Sequence, residues 1–131
     1  MNHNGEVSLD ERLRCVIVDD NLDFVIAASR LLARQGIAVV GVAHTIPDGL
    51  RCIEKAEPAV ILVDIDLGSE NGFDLVEQLD RNSTTAAPVI LISTHAAEDF
   101  ADMVAASSAL AFVTNSDLSG AAIREALGIS E

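Results

Sequence analysis

The sequence predicts an α/β domain: a doubly wound parallel sheet of five strands, with five helices packed on its two faces. Three observations carry that reading. Short, continuously apolar runs recur five times, which is how strands buried on both faces read. A segment with apolar residues at helical spacing follows each run. Acidic, hydroxyl or amide residues stop four of the runs, and in such sheets the working site lies outside the carboxyl ends of the strands.

The elements follow in order. Residues 15–18 form a β-branched run that stops at Asp19, Asp20 and Asn21. Phe24, Val25, Ala28, Leu31 and Leu32 then mark a helix closed by Gly36. Residues 37–43 are the second strand, and Pro47, Leu50 and Ile53 begin and fill a second helix that ends at Glu57 and Pro58. Residues 59–63 are the third strand, stopped by Asp64. A turn at Gly68, Asn71 and Gly72 leads into a helix marked by Phe73, Val76 and Leu79. The fourth strand, 89–92, ends at Ser93 and Thr94, and an alanine-rich helix carrying Phe100, Met103 and Val104 follows. Residues 110–113 are the fifth strand. The last helix opens after Ser116 or Ser119, holds Ile123 and Leu127, and stops before Gly128.

At 131 residues the chain fits one domain, read as a polar lead over 1–13 and a folded unit over 14–128. Half of the residues are apolar and 22% charged, which is too hydrophobic for a disordered chain. Eight basic against twenty-one acidic residues leave a formal charge of −13, a sign that repels phosphate backbones and anionic lipid. Direct nucleic-acid binding and membrane binding are therefore not expected. Apolar runs such as 86–92 fall far below the roughly 18 residues that span a bilayer, and the polar N-terminus is no signal peptide, so a cytoplasmic protein is expected. Cys15 and Cys52 form no CxxC pair and read as small buried hydrophobes.

Four carboxylates, Asp19, Asp20, Asp64 and Asp66, are expected to converge at the strand ends. Their repulsion calls for a positive occupant. Magnesium suits such a site, because it prefers oxygen ligands, keeps several waters, and takes one or two carboxylates together with a phosphate oxygen.

Five segments in this order resemble the receiver domains of two-component response regulators: 16–21 (VIVDDN), 60–66 (VILVDID), 71–75 (NGFDL), 88–93 (PVILIS) and 112–119 (FVTNSDLS). The resemblance implies the flavodoxin-like (βα)5 receiver fold, with Asp64 as phosphoacceptor. It implies that Asp20 ligates Mg2+ directly, Asp19 holds it through water, and Asp66 contributes its main-chain carbonyl. It further implies that the Ser93 hydroxyl bonds the phosphoryl group and that Phe112 is the aromatic switch responding to Ser93. The phosphodonor would be a histidine kinase or phosphotransfer protein, and an output partner would bind the face of helix four, strand five and helix five. Such a protein is a phosphoacceptor taking part in its own phosphotransfer rather than an enzyme with a separate substrate.

The pattern breaks at Asn115, which occupies the position of the family's strand-five lysine. The chain holds a single lysine, Lys55, and no residue over 112–118 is basic. A charged hydrogen bond contributes about 1.5–3 kcal/mol and a neutral one about 0.5–1.5, so Asn115 is expected to weaken the switch more than the chemistry. Two further readings stay open. One is a receiver-like interaction module that works without phosphorylation. The other is a haloacid-dehalogenase-type phosphatase, since Asp64-Ile65-Asp66 looks like its DxD motif. Chain order opposes the latter, because its DxD strand comes first and a basic residue lies downstream. His44 and His95 are read as solvated loop residues, and nothing over residues 128–131 reads as an output domain.

Overall fold

Strand β1 (Leu13–Val18) is followed by α1 (Leu22–Arg34), β2 (Ile37–Ala43), α2 (Ile46–Ala56) and β3 (Val60–Asp64). A short hairpin of β4 (Asp66–Leu67) and β5 (Glu70–Asn71) then leads into α3 (Gly72–Asn82) and β6 (Val89–Ser93). A 3-10 turn (Ala97–Asp99), α4 (Ala101–Ala106), β7 (Ala111–Thr114), a second 3-10 turn (Asn115–Asp117) and α5 (Gly120–Leu127) complete the chain. This computed structural model describes residues 13–82, 85–95 and 97–129. The polar lead expected over 1–13 lies outside the described residues, apart from Leu13, which opens β1.

The five main strands form one parallel sheet in the order β2-β1-β3-β6-β7. Strand pleating sends alternate residues to opposite faces. Cys15, Ile17, Leu62 and Ile90 pack with Val25, Ala28 and Leu32 of α1 and Ile123 of α5. Val16, Val18, Ile61 and Leu91 pack instead with Ile46 and Ile53 of α2 and Leu75 and Leu79 of α3. Each fully buried Leu, Ile or Val contributes about 1.5–3 kcal/mol.

Caps start the helices where the sequence offers them. Asn21 accepts the Phe24 N–H at 3.1 Å, Thr45 the Asp48 N–H at 3.3 Å, and Ser119 the Ala122 N–H at 3.0 Å. The last of these decides between the two starts foreseen for the final helix.

Four details depart from the sequence reading. The turn expected at residues 68–72 is part of a hairpin, in which β5 pairs back on β4. The alanine-rich fourth helix shrinks to six residues behind a 3-10 turn, with no side-chain cap bond at Phe100. Strand β7 starts at Ala111 and is half-buried along its length, because it lies at the sheet edge, and Leu110 before it is 47% exposed. Cys15 is fully buried as expected, whereas Cys52 on α2 is only partly buried.

Candidate functional site

The site begins with strand order. The chain leaves β1 toward one edge for β2, then returns to the other side for β3, so the strand ends diverge between β1 and β3 and open a crevice there. Val18 is paired with Val63, and the next residues on the two strands are Asp19 and Asp64. Asp19, Asp20 and Asp64 each offer one carboxylate oxygen, and the three oxygens lie within 4.8 Å of one another. They open into a cleft of about 220 Å³ that Asp66, Gly68, Thr94 and Asn115 also border.

Backbone hydrogen bonds fix these side chains. The Asn21 N–H donates to Asp19 Oδ1 at 2.8 Å, and the Asp66 N–H to Asp64 Oδ1 at 3.0 Å. Gly72, the first residue of α3, donates its N–H to the Ile65 carbonyl at 2.8 Å. A Cβ at Gly72 would stand 2.3 Å from the Asp64 carbonyl oxygen, so only glycine permits this approach of α3 to the acceptor strand. Gly68 adopts a positive φ of 71° in the hairpin turn beside Asp20.

Electrostatics matches the geometry. Burial pushes the Asp64 carboxyl up to about 7; the charges of Asp19 and Asp20 push the same way, and the Asp66 N–H opposes them. Asp19 is fully buried, and this raises its carboxyl too, against the Asn21 N–H, Asp64 and His44. Among the described residues neither Asp19 Oδ2 nor Asn115 Oδ1 has a hydrogen-bond partner, and both atoms are buried. An orphaned carboxylate oxygen beside two other carboxylates fits a hard divalent cation with oxygen ligands.

Asp19, Asp20, Asp64 and Asp66 all border this one cleft, and the first three form its tight group. Asp66 is exposed and opens the β4–β5 ladder. Ser93 ends β6 and is 1% exposed, with its Oγ accepting the His95 N–H at 3.0 Å. Phe112 lies in β7 away from the cleft, its ring centroid 6.4 Å from that of Phe100, which in turn lies 6.5 Å from Phe73. His95 is exposed and meets Phe100 edge-on at 5.9 Å.

Two contacts escaped the sequence reading. His44 Nδ1 lies 3.1 Å from the Asp19 carbonyl oxygen, and Glu70 Oε1 accepts the Ile46 N–H at 2.9 Å, tying the hairpin to α2. Both join residues more than twenty positions apart, and no local pattern announces them. The only available signal was the place of His44 just beyond a strand end.

The response regulator receiver domain family matches residues 15–118. Protein-glutamate methylesterase/protein-glutamine glutaminase of Desulfotalea psychrophila is 34% identical over 85 residues, which cover 64% of this chain and 23% of that protein. Protein PilH of Pseudomonas aeruginosa is 33% identical over 82 residues, 62% of this chain and 67% of PilH. Among solved structures, the signal receiver domain of NarL from Mycobacterium tuberculosis superposes with a TM-score of 0.76 at 24% identity, over 89% of this chain and 98% of that one. A LuxR-family response regulator from Aurantimonas sp. SI85-9A1 gives 0.77 at 23% identity, over 88% of this chain and 86% of that one. At such identities the structures establish the fold, a flavodoxin-like receiver. No helix among the described residues is long and apolar enough to cross a membrane.

Proposed function

The chain belongs to the response regulator receiver domain family of two-component systems, and from that premise we propose that Asp64 accepts a phosphoryl group from a phosphohistidine on a histidine kinase or phosphotransfer protein, with residues 14–128 as the working unit. The observation that carries this reading is the meeting of Asp19, Asp20 and Asp64 oxygens within 4.8 Å at the mouth of an open cleft.

Asp64 supplies the nucleophile. One of its carboxylate oxygens attacks phosphorus in line; the new O–P bond forms as the P–N bond to the donor imidazole breaks, and the departing nitrogen keeps the electron pair. Asp19, Asp20, Asp64 and the Asp66 main-chain carbonyl are the groups that would hold Mg2+. When bound, the ion neutralises charge spread over the equatorial oxygens of the transferred group. The Asp66 N–H bond on Asp64 Oδ1 leaves the other carboxylate oxygen for attack. Ser93 provides a buried hydroxyl at the end of β6, one residue before Thr94 of the cleft wall, which trades its bond with the His95 N–H for one to the phosphoryl group. Asn115 offers an amide at the cleft rim in place of an ammonium. The signal leaves through protein contacts on the face of α4, β7 and α5. An apolar hollow of about 400 Å³ lined by Ala101, Val104 and Phe112 supports that assignment. A cytoplasmic setting follows from the phosphodonor.

Asn115 in place of a lysine, its buried Oδ1 without a hydrogen-bond partner among the described residues, favours one second reading, a receiver-like module that binds its partner without phosphorylation. One experiment addresses both. With acetyl phosphate and magnesium, intact-mass measurement should show one added phosphoryl group on the wild type and none on Asp64→Asn. Labelling that survives the substitution removes Asp64 as the acceptor. No labelling of either protein, with equal partner affinity for both, establishes the second reading.

A further inference from the structure

A groove of about 320 Å³ runs between α3 and α4. Its floor is Phe73 and Val76, its far wall carries Met103, and its near edge carries Asp74, Glu77 and Asp80 at intervals of three residues along α3. None of these residues borders the carboxylate cleft. Met103 is 47% exposed, a large apolar side chain left in solvent beside an apolar floor. Of the three acids, Glu77 has one exposed partner, Arg81 at 3.4 Å, while Asp74 and Asp80 have no ion pair among the described residues.

We propose that this groove is a docking site for a basic segment of a partner protein, one presenting a large apolar side chain between lysines or arginines at helical spacing. The apolar floor takes the anchor residue, Met103 adapts to its shape, and the row of carboxylates receives the flanking cations. Charge selects a foreign partner over a second copy of this chain, because two molecules of formal charge −13 repel. The groove is also continuous with the face assigned to output. Its floor residue Phe73 packs on Phe100, and Phe100 packs on Phe112 of β7. The proposal does not depend on phosphorylation, since it uses no residue of the acceptor site.

The test uses 15N-labelled protein and three synthetic peptides of one length: leucine and lysine at helical spacing, the same peptide with each leucine replaced by serine, and the same with each lysine replaced by glutamate. Saturable shifts of the Phe73, Val76 and Met103 amides with the leucine–lysine peptide are expected. Binding should weaken by about tenfold or more with either other peptide. Combined Asp74→Asn, Glu77→Gln and Asp80→Asn should weaken it as much, and so should Met103→Glu alone, a change at an exposed side chain that leaves the melting temperature in place. Shifts centred on Asp19, Asp20 and Asp64, shifts spread evenly over the acidic surface, or equal binding of the serine peptide would each overturn the proposal. Self-association that protects the groove without peptide, seen by sedimentation, would reassign it to a second copy.

Discussion

Strands β1 and β3 bury Cys15 to Val18 and Val60 to Val63 completely, whereas β7, two places beyond β3 in the same sheet, is half-buried at every position, and α4 buries no residue fully. The first region carries the carboxylates and the second the proposed output face. Close-packed elements hold reacting groups in place, while elements with few buried contacts open at low free-energy cost. Helix α4 is held by Val104 on the core and, at its start, by the row of rings from Phe73 through Phe100 to Phe112, tilted rather than stacked. The strands that present the carboxylates and the face proposed for output thus differ in burial within one sheet.

The largest effect expected from this contrast is on stability. Leu62→Ala, in the centre of β3, should cost about 2–5 kcal/mol by leaving a cavity under a fully buried side chain. Val104→Ala on α4, where the side chain is only partly buried, should cost about 1 kcal/mol or less. Urea unfolding measures both, and equal costs would break the contrast.

Next comes Gly72→Ala. The added methyl would meet the Asp64 backbone, which has no flexible end to yield, so the strand or α3 must shift. A loss of about 1–3 kcal/mol is expected from such crowding, together with slower phosphoryl labelling because the acceptor itself moves. Labelling at the wild-type rate in a destabilised variant would show that Asp64 tolerates the displacement.

The contrast also explains what the sequence disclosed. Central strands are legible because burial on both faces writes an unbroken apolar run, and because acids at 19, 20 and 64 stop it abruptly. Asp19 and Asp64 were therefore readable as neighbours before their register was known. The edge was harder: Leu110 extends the apolar run before β7 in sequence and stands in solvent in the structure. Around α4, alanine supplies helix propensity without an apolar stripe, so composition marks a helix while packing supports only six residues of one. Asp66 shares the DxD pattern with Asp64, yet it opens a two-residue ladder that no periodicity reveals.

A smaller effect concerns charge in the cleft. Asp64 ionises near 7 in the folded chain and near 4 when unfolded, so the folded state holds the extra proton between those values. In metal-free buffer its contribution to stability is therefore fully present at low pH and is lost as pH rises from about 4 to about 7. Magnesium should act in the opposite sense, raising the melting temperature most above pH 7. A tenfold excess over Kd is equivalent to about 1.4 kcal/mol. Asp20→Ala should remove most of that rise. Coincident melts with and without millimolar magnesium would show that three converging carboxylates do not make a metal site here.

The smallest effect, and the one that bears on the link between the two regions, is Asn115→Lys. Asn115 borders the cleft at the end of β7, so it belongs to both regions at once. Its amide can contact a phosphoryl oxygen, but a neutral contact contributes about 1 kcal/mol less than an ammonium would. A ligand shifts a two-state equilibrium only by its differential affinity for the two states, and a charged contact made in one state alone enlarges that difference. Restoring the lysine should thus enlarge the amide-exchange and chemical-shift changes around Phe112 and α4 when a phosphoryl mimic such as beryllofluoride binds, with little change in the resonances of β1 and β3. Equal responses in wild type and variant would mean that the under-packed face is not coupled to the cleft through β7, and the half-burial of Phe112 would then reflect a partner surface alone.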